Sequence, residues 1–103
     1  MKTVPKKRID IVIEAPALDR LLTILDDSRA SGYTVQRALA GRGRDGSWSG
    51  KGQVGDSGRM MCVFCVVDAT LADDVLEAIY PLVERQMAIV TVADVQVVRG
   101  ERF

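Results

Sequence analysis

Apolar and polar residues alternate over positions 7–14, with Ile9, Ile11 and Ile13 on one side and Asp10, Val12 and Glu14 on the other. That period predicts a strand whose second face is only partly covered. Pro16 ends it. Over 17–30 the period changes, because Leu18, Leu21, Leu22 and Leu25 recur at three- and four-residue steps opposite Asp19, Arg20, Asp26 and Asp27. This predicts an amphipathic helix stopped by Ser31 and Gly32, the glycine suiting the left-handed position after a helix end. Tyr33, Thr34 and Val35 favour a second strand over 33–39. The unbroken apolar run MMCVFCVV over 60–67 predicts a central strand.

Thr70 ahead of Leu71, with Asp73 three residues on, resembles a helix start, and Asp73 and Asp74 complement its positive end. Val75, Leu76, Ile79, Leu82 and Val83 continue as an apolar stripe, in which Pro81 predicts a kink or an early end near Tyr80. A fourth strand over 89–98 and a short tail over 100–103 follow. Strand, helix, strand, strand, helix, strand is the order of an α+β, ferredoxin-like domain: a four-stranded antiparallel sheet with two helices on one face, here one domain over 1–103. The pattern supplies no helix for the other face, so a trimer or dimer is expected over a monomer.

Between the second and third strands lies a segment unlike the rest, AGRGRDGSWSGKGQVGDSGR, with seven glycines between 41 and 58, the cations Arg42, Arg44, Lys51 and Arg59, and the single tryptophan, Trp48. Such a segment has little to bury. Arginine forks among glycines directly after a strand fit an anion cradle, against the plainer alternative of a hairpin loop without a ligand.

Composition narrows the chemistry. Fourteen Lys and Arg balance fourteen Asp and Glu, so no bulk field draws the chain to nucleic acid or an anionic membrane. Lys6, Lys7 and Arg8 are expected to form a solvated strand entrance. No apolar run reaches the roughly 20 residues of a membrane span, and the start lacks a secretory signal, so a cytoplasmic protein is expected. Cys62 and Cys65 have C-x-x-C spacing, but three steps along a strand put them on opposite faces, which suits packed thiols and not a shared metal or disulfide. Met60, Met61 and Met87 are expected to pack as well.

There is no histidine, the commonest general base, and no asparagine for an acylphosphatase-like phosphate site. An enzyme is therefore not expected. The third strand offers Phe64 as its one aromatic, too few for an RNA-stacking platform.

Taken in order, KKRIDIVIEAPALDRLLTILDDSRASGYTVQ, GYTV with AGRGRDG, MMCVFCVVDATLADDVLEAIYPLVE and IVTVADVQVVRGER resemble the PII signal-transduction superfamily over nearly the whole chain. The resemblance implies a homotrimer that binds adenine nucleotides in the clefts between subunits, with a T-loop, here 42–58, that changes conformation and docks on a protein target. By position, Thr34 and Val35 would meet the adenine. Gly41, Arg42, Gly43 and Arg44 would wrap ribose and phosphates, and Gly58, Arg59 and Met60 would border the base. Arg99 and Glu101 would close the cleft from the neighbouring subunit.

The departures refine this. The loop has no tyrosine, so uridylylation is not expected, and Trp48 is either a target-docking anchor, with Lys51 beside it, or a plug against its own domain. The family's glycine-rich turn with a phosphate-binding lysine is replaced by ERQMAIV, and Arg99 is the one cation where the last strand ends. Fewer cations favour ADP or AMP over ATP with magnesium.

These truncations resemble the PII-like branch associated with carboxysomes and bicarbonate transport. They imply a bicarbonate effector held by Arg42, Arg44, Ser47, Ser49 or Lys51, and a transporter or carboxysome-associated target. The alternative is a divalent-metal-tolerance-like or purely structural trimer of the same fold.

Overall fold

The structure, a computed structural model, describes residues 1–30, 32–43, 46–49 (backbone only) and 59–99. Strand β1 (Thr3–Glu14) leads through a 3-10 turn at Ala15–Ala17 into helix α1 (Leu18–Asp27). Then come β2 (Thr34–Arg37), β3 (Ala40–Gly43), β4 (Gly46–Ser49), β5 (Met60–Val67), α2 (Ala69–Arg85) and β6 (Ala88–Val98). Four strands form an antiparallel sheet in the order β2-β5-β1-β6, while β3 and β4 pair only with each other. This is the α+β ferredoxin-like arrangement, and β5 lies inside the sheet as its apolar run predicts.

The core sits between the sheet and the helices. Ile9, Ile11 and Ile13 from β1 and Val63, Cys65 and Val67 from β5 meet Leu21 and Leu25 of α1 and Val75, Ile79 and Leu82 of α2, all almost wholly buried. Each such aliphatic side chain contributes about 1.5–3 kcal/mol on leaving water. The two thiols are free, with Cys65 buried toward the core and Cys62 half-buried on the other sheet face. Burial, reinforced by the charge of Asp10, raises the Cys65 thiol above its ordinary 9.0.

Several expectations are corrected. β1 begins at Thr3, four residues earlier than the alternation indicated, because it pairs along β6 from Thr3↔Val98 onward. The first helix ends at Asp27, ahead of Ser31 and Gly32. Ser28 terminates it by donating its hydroxyl to the Leu25 carbonyl (2.8 Å) and accepting the Ala30 N–H (3.1 Å). Gly32 is not left-handed.

The second helix starts at Ala69 after Asp68, not at Thr70, and runs through Pro81 to Arg85. Pro81 is exposed while Leu82 behind it is buried, so the carbonyl that loses its partner lies on the wet side and core packing carries the helix onward. Arg85 Nε donates to the Pro81 carbonyl at 3.2 Å. The second strand is shorter than 33–39. Ala38 still donates to Met60 (3.0 Å), but Leu39, 82% exposed, has left the sheet. Part of the glycine-rich segment is itself a two-stranded ladder, which the glycines concealed: Ser47-Trp48-Ser49 is strand-compatible once paired with Ala40–Gly43.

The basic entrance to β1 is not simply solvated. Lys6 is 7% exposed and forms a salt bridge with Asp68. These residues face each other one register step beyond Lys7↔Val67. Lys7 pairs with Asp94. Arg8 grips Asp10 with two hydrogen bonds (2.9 and 3.0 Å) and lies 3.9 Å over the Phe64 ring. The Asp10 hydrogen bond raises the Arg8 pKa further.

Candidate functional site

The glycine-rich segment leaves and re-enters the sheet at one end. The Met60 carbonyl accepts from Ala38 at the end of β2, and the Arg59 carbonyl accepts from Ala15 just past β1, both at 3.0 Å. The returning limb is thus held between the ends of two strands. Arg59 is half-buried there and Met60 is buried. Of the residues expected to wrap a nucleotide, Gly41, Arg42 and Gly43 lie on β3, with Arg42 exposed and opposite Ser47, and Gly41 opposite Trp48. Gly43 pairs with Gly46 and does not adopt a left-handed backbone; a Cβ there would meet open space.

Thr34 is exposed at the start of β2, opposite Phe64. Val35 next to it turns the other way and packs on the core. Tyr33, just before them, lies by Asp26 of α1, whose hydrogen bonding raises the phenol above the ordinary 10.0.

Arg44, Gly58, Glu101 and Lys51 lie outside the described residues, as do the side chains of Ser47, Trp48 and Ser49.

Arg99 lies elsewhere altogether. It follows β6, at the far edge of the sheet from β2, and has a left-handed backbone (φ 62°), alone in this among the described non-glycine residues. β6 begins opposite Ile13, at the end where the glycine-rich segment emerges, and runs 11 residues away from it. At about 3.3 Å per residue and 4.8 Å per strand, Arg99 stands on the order of 30 Å along and 14 Å across from the hairpin's base. One chain therefore brings Gly41, Arg42, Arg59 and Met60 to one corner of the sheet and Arg99 to the diagonally opposite one.

Sequence reasoning missed the Lys6–Asp68 pair, which only the register reveals, and a groove of 390 Å³ between α1 and α2, lined by Asp19, Arg20, Thr23, Ile24, Leu82 and Arg85. Among the described residues no His, Cys, Asp and Glu group of metal-ligating size is found, and no helix is long and apolar enough to cross a membrane.

A ferredoxin-like sheet with one face open and a glycine- and arginine-bearing excursion between its second and central strands defines a PII-like regulatory fold. The chain belongs to the family described as nitrogen regulatory protein P-II, which matches residues 6–102. Among solved structures it is similar to CPII from Thiomonas intermedia K12, a nitrogen regulatory PII-like protein bound to ADP, AMP and bicarbonate. There the identity is 27%, the TM-score 0.88, and the match covers 99% of this chain and 96% of that one. CPII bound to ADP, AMP and acetate is similar at 25% identity and TM-score 0.78, covering 100% and 98%. A PII-like signaling protein from Thermus thermophilus is similar at 29% identity and TM-score 0.83, covering 100% and 99%. No curated protein sequence matches the chain.

Proposed function

We propose that this chain is a non-enzymatic, cytoplasmic regulator that binds ADP or AMP, in preference to ATP, in clefts between the subunits of a homotrimer. The observation that carries this is the diagonal separation of Arg99 from Gly41, Arg42, Arg59 and Met60. A cleft that uses both corners needs a second copy, whose β6 end would bring Arg99 and Glu101 to the first copy's hairpin. The open sheet face, where Cys62, Phe64 and Val66 are only half-covered, gives the copies a surface to share.

In the cleft, Thr34 would lie on the adenine side, with Val35 behind it on the core. Gly41, Arg42, Gly43 and Arg44 would follow the ribose and phosphates, with Gly58, Arg59 and Met60 beside the base. Bicarbonate is the proposed second effector, held by donors among Arg42, Arg44, Ser47, Ser49 and Lys51. The solved CPII complexes, with ADP, AMP and bicarbonate or acetate, support a nucleotide and a small carboxylate-like anion as co-ligands of this fold. Within the one domain, residues 42–58 act as the T-loop, whose Trp48 and Lys51 dock on a carbon-metabolism target such as a transporter or a carboxysome-associated protein.

Mass photometry and thermal shift with AMP, ADP, ATP, cyclic AMP and bicarbonate test this. A trimer is expected, stabilised by AMP or ADP by about 2.7 kcal/mol at a hundred times the dissociation constant. A single-chain mass, or equal melting in every nucleotide, refutes it. Chloride and nitrate matching bicarbonate would remove the bicarbonate assignment alone.

A further inference from the structure

We propose that the groove between α1 and α2 is a separate binding site for a small organic anion that carries a compact apolar body. Its floor is apolar: Leu82 is 1% exposed and Ile24 packs beside it on the core. Its rim is cationic. Arg20 stands in the first turn of α1, where the helix macrodipole disfavours a cation, and Arg85 comes across from the last turn of α2.

Among the described residues neither arginine enters a salt bridge. Arg85 uses Nε on the Pro81 carbonyl, which leaves both of its Nη groups for a ligand. Thr23 is engaged with the Asp19 carbonyl at 3.0 Å, and the Asp19 carboxylate is the one acid on the rim. The positive start of α1 and the negative end of α2 offset each other, so the balance is set by the side chains, two guanidinium groups against one carboxylate above an apolar floor. A carboxylate on a small ring or branched chain satisfies both halves. The groove holds 390 Å³ and is open on its outer side, so a small ligand would lie along it with its apolar body on the floor and its anionic end at the rim. The groove lies on the helix layer, away from the open sheet face, so it stays accessible when copies of the chain share that face.

The test is a methyl-labelled titration of the full chain, free of nucleotide, with phenylacetate and with its neutral counterpart 2-phenylethanol. Saturable shifts at Ile24 and Leu82 are expected with phenylacetate and none with the alcohol. Arg20→Ala with Arg85→Ala should lower affinity at least tenfold. Asp19→Asn should raise it, an effect that general loosening of the helices would not produce. No saturable shift, equal shifts from both compounds, or unchanged affinity in the double variant overturns the site. None of these outcomes bears on nucleotide binding, which is measured separately.

Discussion

The Lys6–Asp68 pair is asymmetric, and its two halves should therefore respond differently to mutation. The Lys6 side chain is 6% exposed and that of Asp68 is 51% exposed. In Lys6→Met the aliphatic stem stays packed and the remaining carboxylate takes up water on its open side, so the cost is about 1 kcal/mol or less. In Asp68→Asn the buried lysine head loses the carboxylate facing it. Removing one partner of a fully buried pair costs about 3–5 kcal/mol; here Asp68 is half exposed and Lys6 keeps other contacts, so this variant should lose less, about 2 kcal/mol. For a domain of this size that corresponds to roughly 5 °C or less in Tm against about 10 °C.

Urea melts at one fixed protein concentration, read as midpoint and slope, measure both. The concentration must be held because association would shift the midpoint. The double variant should fall near Lys6→Met, short of the sum, because the ammonium that Asp68 offsets is gone. A Lys6→Met variant as unstable as Asp68→Asn would refute the assignment of the buried charge to the lysine.

Further expectations concern other parts of the fold. Arg42→Ala should weaken ADP binding at least tenfold in calorimetry while leaving the melt of the free protein unchanged, and a shifted melt would place Arg42 in the packing instead. Pro81→Ala should raise the urea midpoint, since it restores a helix amide at an exposed position where proline costs up to about 3 kcal/mol. Cys65 and Tyr33 both hold their protons more tightly folded than at their ordinary 9.0 and 10.0, so their contribution is complete below pH 9 and is lost as pH rises through the raised values. Thermal melts should fall as pH rises above 9, less steeply in Tyr33→Phe, and a melt flat above pH 9 contradicts both shifts. Alkylation of Cys65 in native protein should proceed no faster than global unfolding, which mass spectrometry after iodoacetamide can follow.

The fold was legible where local periodicity and burial agree. The isoleucines of β1, the leucines of α1 and the unbroken run of β5 each announce their element, because the core uses them at the period the backbone imposes. Boundaries were less legible. Ser28 ended a helix by hydrogen bonds that no apolar pattern encodes, and Pro81 failed to end one because its missing amide faces water. The candidate site was legible mainly through resemblance. Glycine and arginine marked the segment, but the β3–β4 ladder depends on pairing between residues with little hydrophobic signature. The fate of Lys6 was hidden for a related reason: its acid is 62 positions away, and only strand register brings them face to face.

The way the returning limb is pinned has a mechanical consequence. Past Ala15 the 3-10 turn carries the backbone off toward α1, and on the other flank the last rung among the described residues is Ala38 to Met60. Arg59 and Met60 are therefore tied to the ends of two strands, so a displacement of Arg59 would be felt first by the peptide at Ala15 and from there by the opening turn of the first helix. A reporter on that turn, at Asp19 for instance, would register what happens at the hairpin from the opposite layer of the molecule.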